Sequence, residues 1–95
     1  MTKQSISRGH ELTEFYGKEC PHCHAMDSLV DRLAKEEKVT VKRLEVWHNH
    51  KNAKTMQSVG KGRCGGVPFF FNAKTSKSIC GETGYAALKK WALEK

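Results

Sequence analysis

Cys20-Pro21-His22-Cys23 is the stretch of this chain best equipped for chemistry. Two thiols separated by two residues can close and reopen a disulfide or supply half of a tetrahedral zinc site. Because His24 follows, they also match the C-x-x-C-H spacing of covalent haem attachment. These chemistries require different surroundings, so the flanking elements must choose among them. The other two cysteines, Cys64 and Cys80, could complete a four-thiol zinc set but lack a second C-x-x-C knuckle. Cys64, four residues before Pro68, reads as a small buried residue or as a third thiol near the site, and Cys80 reads as core.

The elements that must position the pair follow from hydrophobic period. His10 to Tyr16, with Leu12, Phe15 and Tyr16, suits a strand that Gly17 ends. Beyond Pro21 the apolar positions Met26, Leu29, Val30 and Leu33 recur at i, i+3, i+4 and i+7, which predicts one helix from Pro21 to about Glu37. Pro21 fits the first turn, where its missing N–H costs nothing. Val39 to Trp47 reads as a second strand, and His48 to Gly60 as a short helix carried by Ala53, Met56 and Val59. Val67 to Phe71 reads as a buried strand, Asn72 to Lys77 as a turn and Ser78 to Cys80 as a fourth strand. Tyr85, Leu88, Trp91 and Ala92 form the stripe of a last helix.

A cysteine at such a strand-to-helix junction faces unpaired N–H groups and about half a positive charge, which lowers its pKa from about 8.5. Cys20 is therefore expected to attack, and Cys23, one turn further in, to resolve. His22, His24 and Lys18 add positive charge that favours the thiolate.

Ninety-five residues suit one domain, and an apolar fraction of 38% is that of a folded chain rather than a disordered one. We expect a loose segment over 1–9 and a single domain over 10–95. The longest apolar run, Val67 to Phe71, is far short of the roughly 20 residues that cross a bilayer, and the N-terminus has no apolar signal core. A cytoplasmic monomer without membrane contact is the expectation. Seventeen Lys and Arg against ten Asp and Glu give +7, but the excess has no focus and no interleaved aromatics. It reads as a solvated basic surface rather than a nucleic-acid site.

The order strand, helix, strand, helix, strand, strand, helix, with Phe15-Tyr16-Gly17-Lys18-Glu19-Cys20-Pro21-His22-Cys23 at the first junction and Gly66-Val67-Pro68 opening the third strand, resembles the thioredoxin superfamily. The resemblance implies an α/β thioredoxin fold: a four-stranded mixed sheet flanked by three helices, without the extra N-terminal strand and helix of full thioredoxins. The Pro21-His22 dipeptide is similar to that of the bacterial disulfide oxidases. Cys64 to Asn72 looks more like thioredoxin's approach to its cis-proline than glutaredoxin's.

The resemblance further implies a thiol-disulfide oxidoreductase working through a Cys20 mixed disulfide that Cys23 resolves, with no cofactor and no metal. Pro21, His22, Val67 and Pro68 would contact substrate, Pro68 in the cis form that sets the Val67 backbone beside the dithiol. Glu14, six residues before Cys20, stands where thioredoxin has a buried acid that takes the proton of the second thiol. Burial would raise the pKa of Glu14 toward the working pH and make it a general base for Cys23, whereas a pair with Arg43, which lies where thioredoxin has a Lys near that acid, would lower it instead; the alternative is that Glu14 points to solvent from a strand edge. Expected partners are disulfide-containing proteins or small thiols, and a thiol reductant or reductase as electron donor. The competing readings are a glutathione-dependent glutaredoxin and a metal-binding or adaptor module on the same fold.

Overall fold

The computed structural model describes residues 12–61 and 64–93. The expected loose segment 1–9, and the boundary at residue 10, lie outside the described residues. Strand β1 (Leu12–Tyr16) lies at the centre of a four-stranded sheet of order β2-β1-β3-β4. It runs parallel to β2 (Val41–Glu45), with Glu14 opposite Arg43, and antiparallel to β3 (Phe69–Asn72), with Glu14 opposite Phe70. Strand β4 (Lys77–Cys80) closes the far edge antiparallel to β3, with Cys80 opposite Phe69.

A parallel pair needs a crossover. Here it is made by α1 (Pro21–Ala25) and α2 (Asp27–Glu37). The single helix predicted over Pro21 to Glu37 is broken at Met26, whose N–H closes onto Cys23 O at 3.0 Å, an i−3 turn that interrupts the i−4 ladder. Counting α1 and α2 as one interrupted helix gives the three expected, the others being α3 (His50–Gly60) and α4 (Tyr85–Leu93). Helix α3 starts two residues later than predicted because the Asn49 side chain caps it, accepting from Asn52 N at 3.0 Å. Strand β2 stops short of Trp47 because the Glu45 carboxylate takes the N–H groups of Lys18, Trp47 and His48, turning the chain away from the sheet. Strand β3 starts after Pro68, which has no N–H to give a ladder.

Alternation along β1 sends Leu12 and Glu14 to one face and Phe15 to the other. On the first face Leu12, Met26, Val30, Leu33, Phe70, Leu88 and Trp91 form the core between the sheet, α2 and α4. Each such apolar side chain contributes about 1.5–3 kcal/mol on full burial. On the second face Phe15 stacks on Phe69 at 5.9 Å, and Gly60 of α3 approaches so closely that a Cβ there would lie 3.2 Å from the Phe69 ring. The central strand is thus buried on both faces, Glu14 included. Among the described residues no helix is long and apolar enough to cross a membrane.

Candidate active site

Cys20 occupies the N-cap position of α1 with extended backbone (φ −83°, ψ 113°), so its sulfur turns back toward the first-turn N–H groups. The Cys23 N–H donates to Cys20 Sγ at 3.2 Å, and the Cys20 N–H is held by Gly17 O at 3.0 Å. Because α1 has only five residues before its break, this directed N–H, rather than the dipole of a long helix, is the local positive end that the sulfur meets. Both thiols are free and buried, Cys20 at 3% exposure and Cys23 at 0%. Burial, and after it the hydrogen bond to Cys20, pushes the Cys23 thiol up to about 12; charge on Cys20 and on Glu14 adds to the rise.

Glu14 is fully buried rather than at a solvent edge, and near enough to Cys23 for its charge to bear on that thiol. Arg43 Nε comes within 3.0 Å of Glu14 Oε1 as a charge contact, yet it is not aligned for a hydrogen bond, and neither carboxylate oxygen has a hydrogen-bond partner. Arg43 is shared, since its NH2 group also engages Asp27. Burial therefore outweighs the cation, and the Glu14 carboxyl is raised from 4.5 to about 7; Arg43 opposes the rise and Asp27 adds to it. Asp27 in turn meets His24 Nδ1 at 3.1 Å, while His24 Nε2 lies 2.6 Å from Lys18 O. Both partners can only accept, so the ring donates from both nitrogens, which raises the His24 pKa. His24 is thereby committed to the β1–α1 loop and Asp27.

The Val67-Pro68 peptide bond is cis, and Val67 O lies 3.8 Å from Cys20 Sγ. The structure thus brings Cys20, Cys23, Glu14, Val67 and Pro68 together. Pro21 and His22 stand exposed at the start of α1 beside them. Val46, Trp47, Met56, Cys64, Gly65 and Val67 line a groove of about 360 Å³ that reaches the site along the Val67 side. The Trp47 ring packs on the β1–α1 loop so tightly that a Cβ on Gly17 would lie 2.3 Å from its Cδ2, which is why that position is a glycine.

Three features of the surroundings lie beyond the sequence reading. Cys64 and Cys80 are neither core residues nor thiols; they form a disulfide with Cα atoms 5.6 Å apart, and Cys80 is exposed. That bond also removes both from any zinc set, and among the described residues no cluster of three or more His, Cys, Asp and Glu could hold a metal ion. Glu82 Oε1 pairs with His22 Nδ1 at 2.8 Å, across 60 residues of chain. Gly81, at φ +100° where a side chain is strained, donates its N–H to Pro68 O at 2.8 Å. The even cysteine count was the one signal that could have found the disulfide.

No family model and no curated protein sequence matches the chain. In three dimensions it is similar to thioredoxin from Aeropyrum pernix, with a TM-score of 0.69 at 18% identity, over 99% of this chain and 83% of that one. The chain has a thioredoxin fold. Two free, buried cysteines stand at its first strand-to-helix junction.

Proposed function

We propose that the protein is a thiol-disulfide oxidoreductase in which Cys20 attacks and Cys23 resolves. The observation that carries this reading is the pairing of two free thiols, joined by the Cys23 N–H on Cys20 Sγ, with the Val67 carbonyl 3.8 Å from Cys20 Sγ and a buried carboxyl nearby. Cys20 as thiolate attacks one sulfur of a substrate disulfide, and the other sulfur leaves as a thiolate, giving a mixed disulfide. The Cys23 N–H, 3.2 Å from Cys20 Sγ, orients the attacking sulfur. The substrate segment lies along Val67 as an added strand, with Pro21 and His22 as the opposite wall.

Resolution requires the Cys23 proton to leave. While Cys20 is a free thiolate it helps to hold that proton on, through its hydrogen bond and its charge. Both contributions lapse once Cys20 is tied into the mixed disulfide. Glu14, near 7 and without a hydrogen-bond partner, is then the base to accept it. The Cys23 thiolate attacks Cys20 Sγ, the substrate sulfur departs and takes a proton, and two electrons have passed to the substrate. A thiol reductant or reductase reopens the Cys20–Cys23 disulfide, and no cofactor is called for.

Disulfide-containing proteins or small thiols as substrates, a monomeric state and a cytoplasmic location belong to the same proposal. Cytosol keeps thiols reduced, so there Cys64–Cys80 would be the bond at risk. The test is insulin reduction driven by a dithiol, in which the wild type turns over and Cys20→Ser does not. Turnover by Cys20→Ser would overturn the reading. Preference for glutathione mixed disulfides over insulin would make it a glutaredoxin.

A further inference from the structure

Residues 80–83 touch both walls of the dithiol site. Cys80 is bonded to Cys64, and the Gly81 N–H holds Pro68 O at 2.8 Å. Glu82 pairs with His22 at 2.8 Å, and the Thr83 N–H meets Met26 Sδ, at the end of α1, at 3.4 Å. The segment thus forms a bracket from the substrate-facing loop 64–68 to the helix that carries the cysteines.

The loop side of the bracket has little else to hold it. Gly65 and Gly66 are exposed, with no atom within 4 Å of where a Cβ would stand, and Val67 is half-buried. The covalent tie to the edge strand β4 is the firmest constraint on this loop upstream of Pro68. Its Cys80 end is exposed, so a reductant can reach the bond.

We infer that Cys64–Cys80 is a second redox site, a switch whose reduction frees the Val67-Pro68 loop and weakens capture of protein substrates by the Cys20/Cys23 site. The inference rests on the oxidoreductase reading for its consequence, though not for its structural part. The co-reactant is a dithiol. One of its thiolates attacks Cys80 Sγ, the bond to Cys64 breaks, and Cys64 leaves as a thiolate that takes a proton. The second thiol of the reductant then displaces Cys80, which is also protonated. The dithiol ends as a disulfide, and two electrons and two protons have passed to the protein. The loop gains the freedom of its two glycines, and Val67 O is no longer held beside Cys20.

The experiment compares Cys23→Ser, which halts the reaction at the mixed disulfide, with Cys23→Ser/Cys64→Ser/Cys80→Ser. Two measurements are made: the rate at which each captures insulin or 5,5′-dithiobis(2-nitrobenzoate), and backbone hydrogen exchange. Losing about one hydrogen bond's worth of positioning slows insulin capture roughly tenfold. Capture of the small disulfide, which does not need the loop, changes by less than about twofold. Exchange quickens at 64–68 and 80–83. Equal insulin capture together with equal exchange overturns the inference.

Wild type titrated with dithiothreitol supplies the second reading, in case the triple variant does not fold. Reversible opening from two to four alkylatable thiols with the fold retained supports the switch. Opening only on global unfolding makes the bond structural and overturns it. If neither protein captures any disulfide, the oxidoreductase reading fails, while exchange still decides whether the bond holds the loop.

Discussion

The chain carries two cysteine pairs with opposite surroundings. Cys20 and Cys23 are three residues apart, buried, linked through an N–H to sulfur and near a buried carboxyl that has no hydrogen-bond partner. Cys64 and Cys80 are 16 apart and joined covalently, and Cys80 lies exposed on the edge strand β4. In the first pair the surroundings act on protons: burial and neighbouring charge move Cys23 and Glu14 far from their ordinary values. In the second the pair acts on its surroundings, fixing a glycine-rich loop against β4. The same residue type thus serves as reactant in one place and as fastener in the other, and the difference lies in what each sulfur can reach.

The largest effect separates the members of the first pair. Cys20→Ser reduces insulin turnover to the uncatalysed rate, whereas Cys23→Ser traps substrate as a covalent adduct visible by mass spectrometry. Faster alkylation of Cys23 than of Cys20 at neutral pH would reverse the roles.

Glu14→Gln tests whether the buried acid belongs to the first pair. A carboxyl that titrates at about 7 in the fold and at 4.5 unfolded binds more protons when folded, so its contribution is fully present below pH 4.5 and is lost as pH rises through 7. Over that interval the loss is about 3 kcal/mol. Unfolding free energy of wild type should fall from pH 4.5 to 7 relative to Glu14→Gln, while resolution of the mixed disulfide slows in the variant near neutral pH. Parallel pH profiles for the two proteins would place Glu14 outside the proton chemistry.

Cys64→Ser/Cys80→Ser weighs the second pair as a fastener. Opening a loop closed across 16 residues lowers unfolding free energy by about 3 kcal/mol, read from urea midpoints with Cys20 and Cys23 reduced in both proteins. An unchanged midpoint would mean that β3–β4 pairing already holds these segments together.

Gly17→Ala strikes the loop beneath Trp47. The new Cβ, 2.3 Å from the indole, must displace the ring, at about 1–3 kcal/mol. The shift in thermal midpoint should vanish when Trp47→Ala is added. The smallest effect is expected from Glu82→Gln, which breaks an exposed pair with His22 and costs under about 1 kcal/mol in a denaturant series. A larger loss would mean that the bracket depends on this ion pair as well as on the disulfide.

Much of the fold can be read from the chain because short-range patterns encode it. The change of period after Gly17, the buried run Val67 to Phe71 and the stripe Leu88-Trp91 each depend on which face a residue presents, and that follows from spacing alone. The C-x-x-C at the first junction is local in the same sense. The break at Met26 escaped because periodicity marks which residues are apolar, not whether an N–H bonds three or four residues back. The thioredoxin resemblance nominated Glu14 but left its direction open. Burial on both faces of β1 and the sharing of Arg43 with Asp27 decided its charge, and both depend on elements folding over it from elsewhere in the chain. The Cys64–Cys80 bond, the Glu82–His22 pair and the Trp47 ring on Gly17 join positions 16 to 60 residues apart. Such contacts have no period to betray them, and only the sheet order and the turn at Gly81 bring their partners within reach.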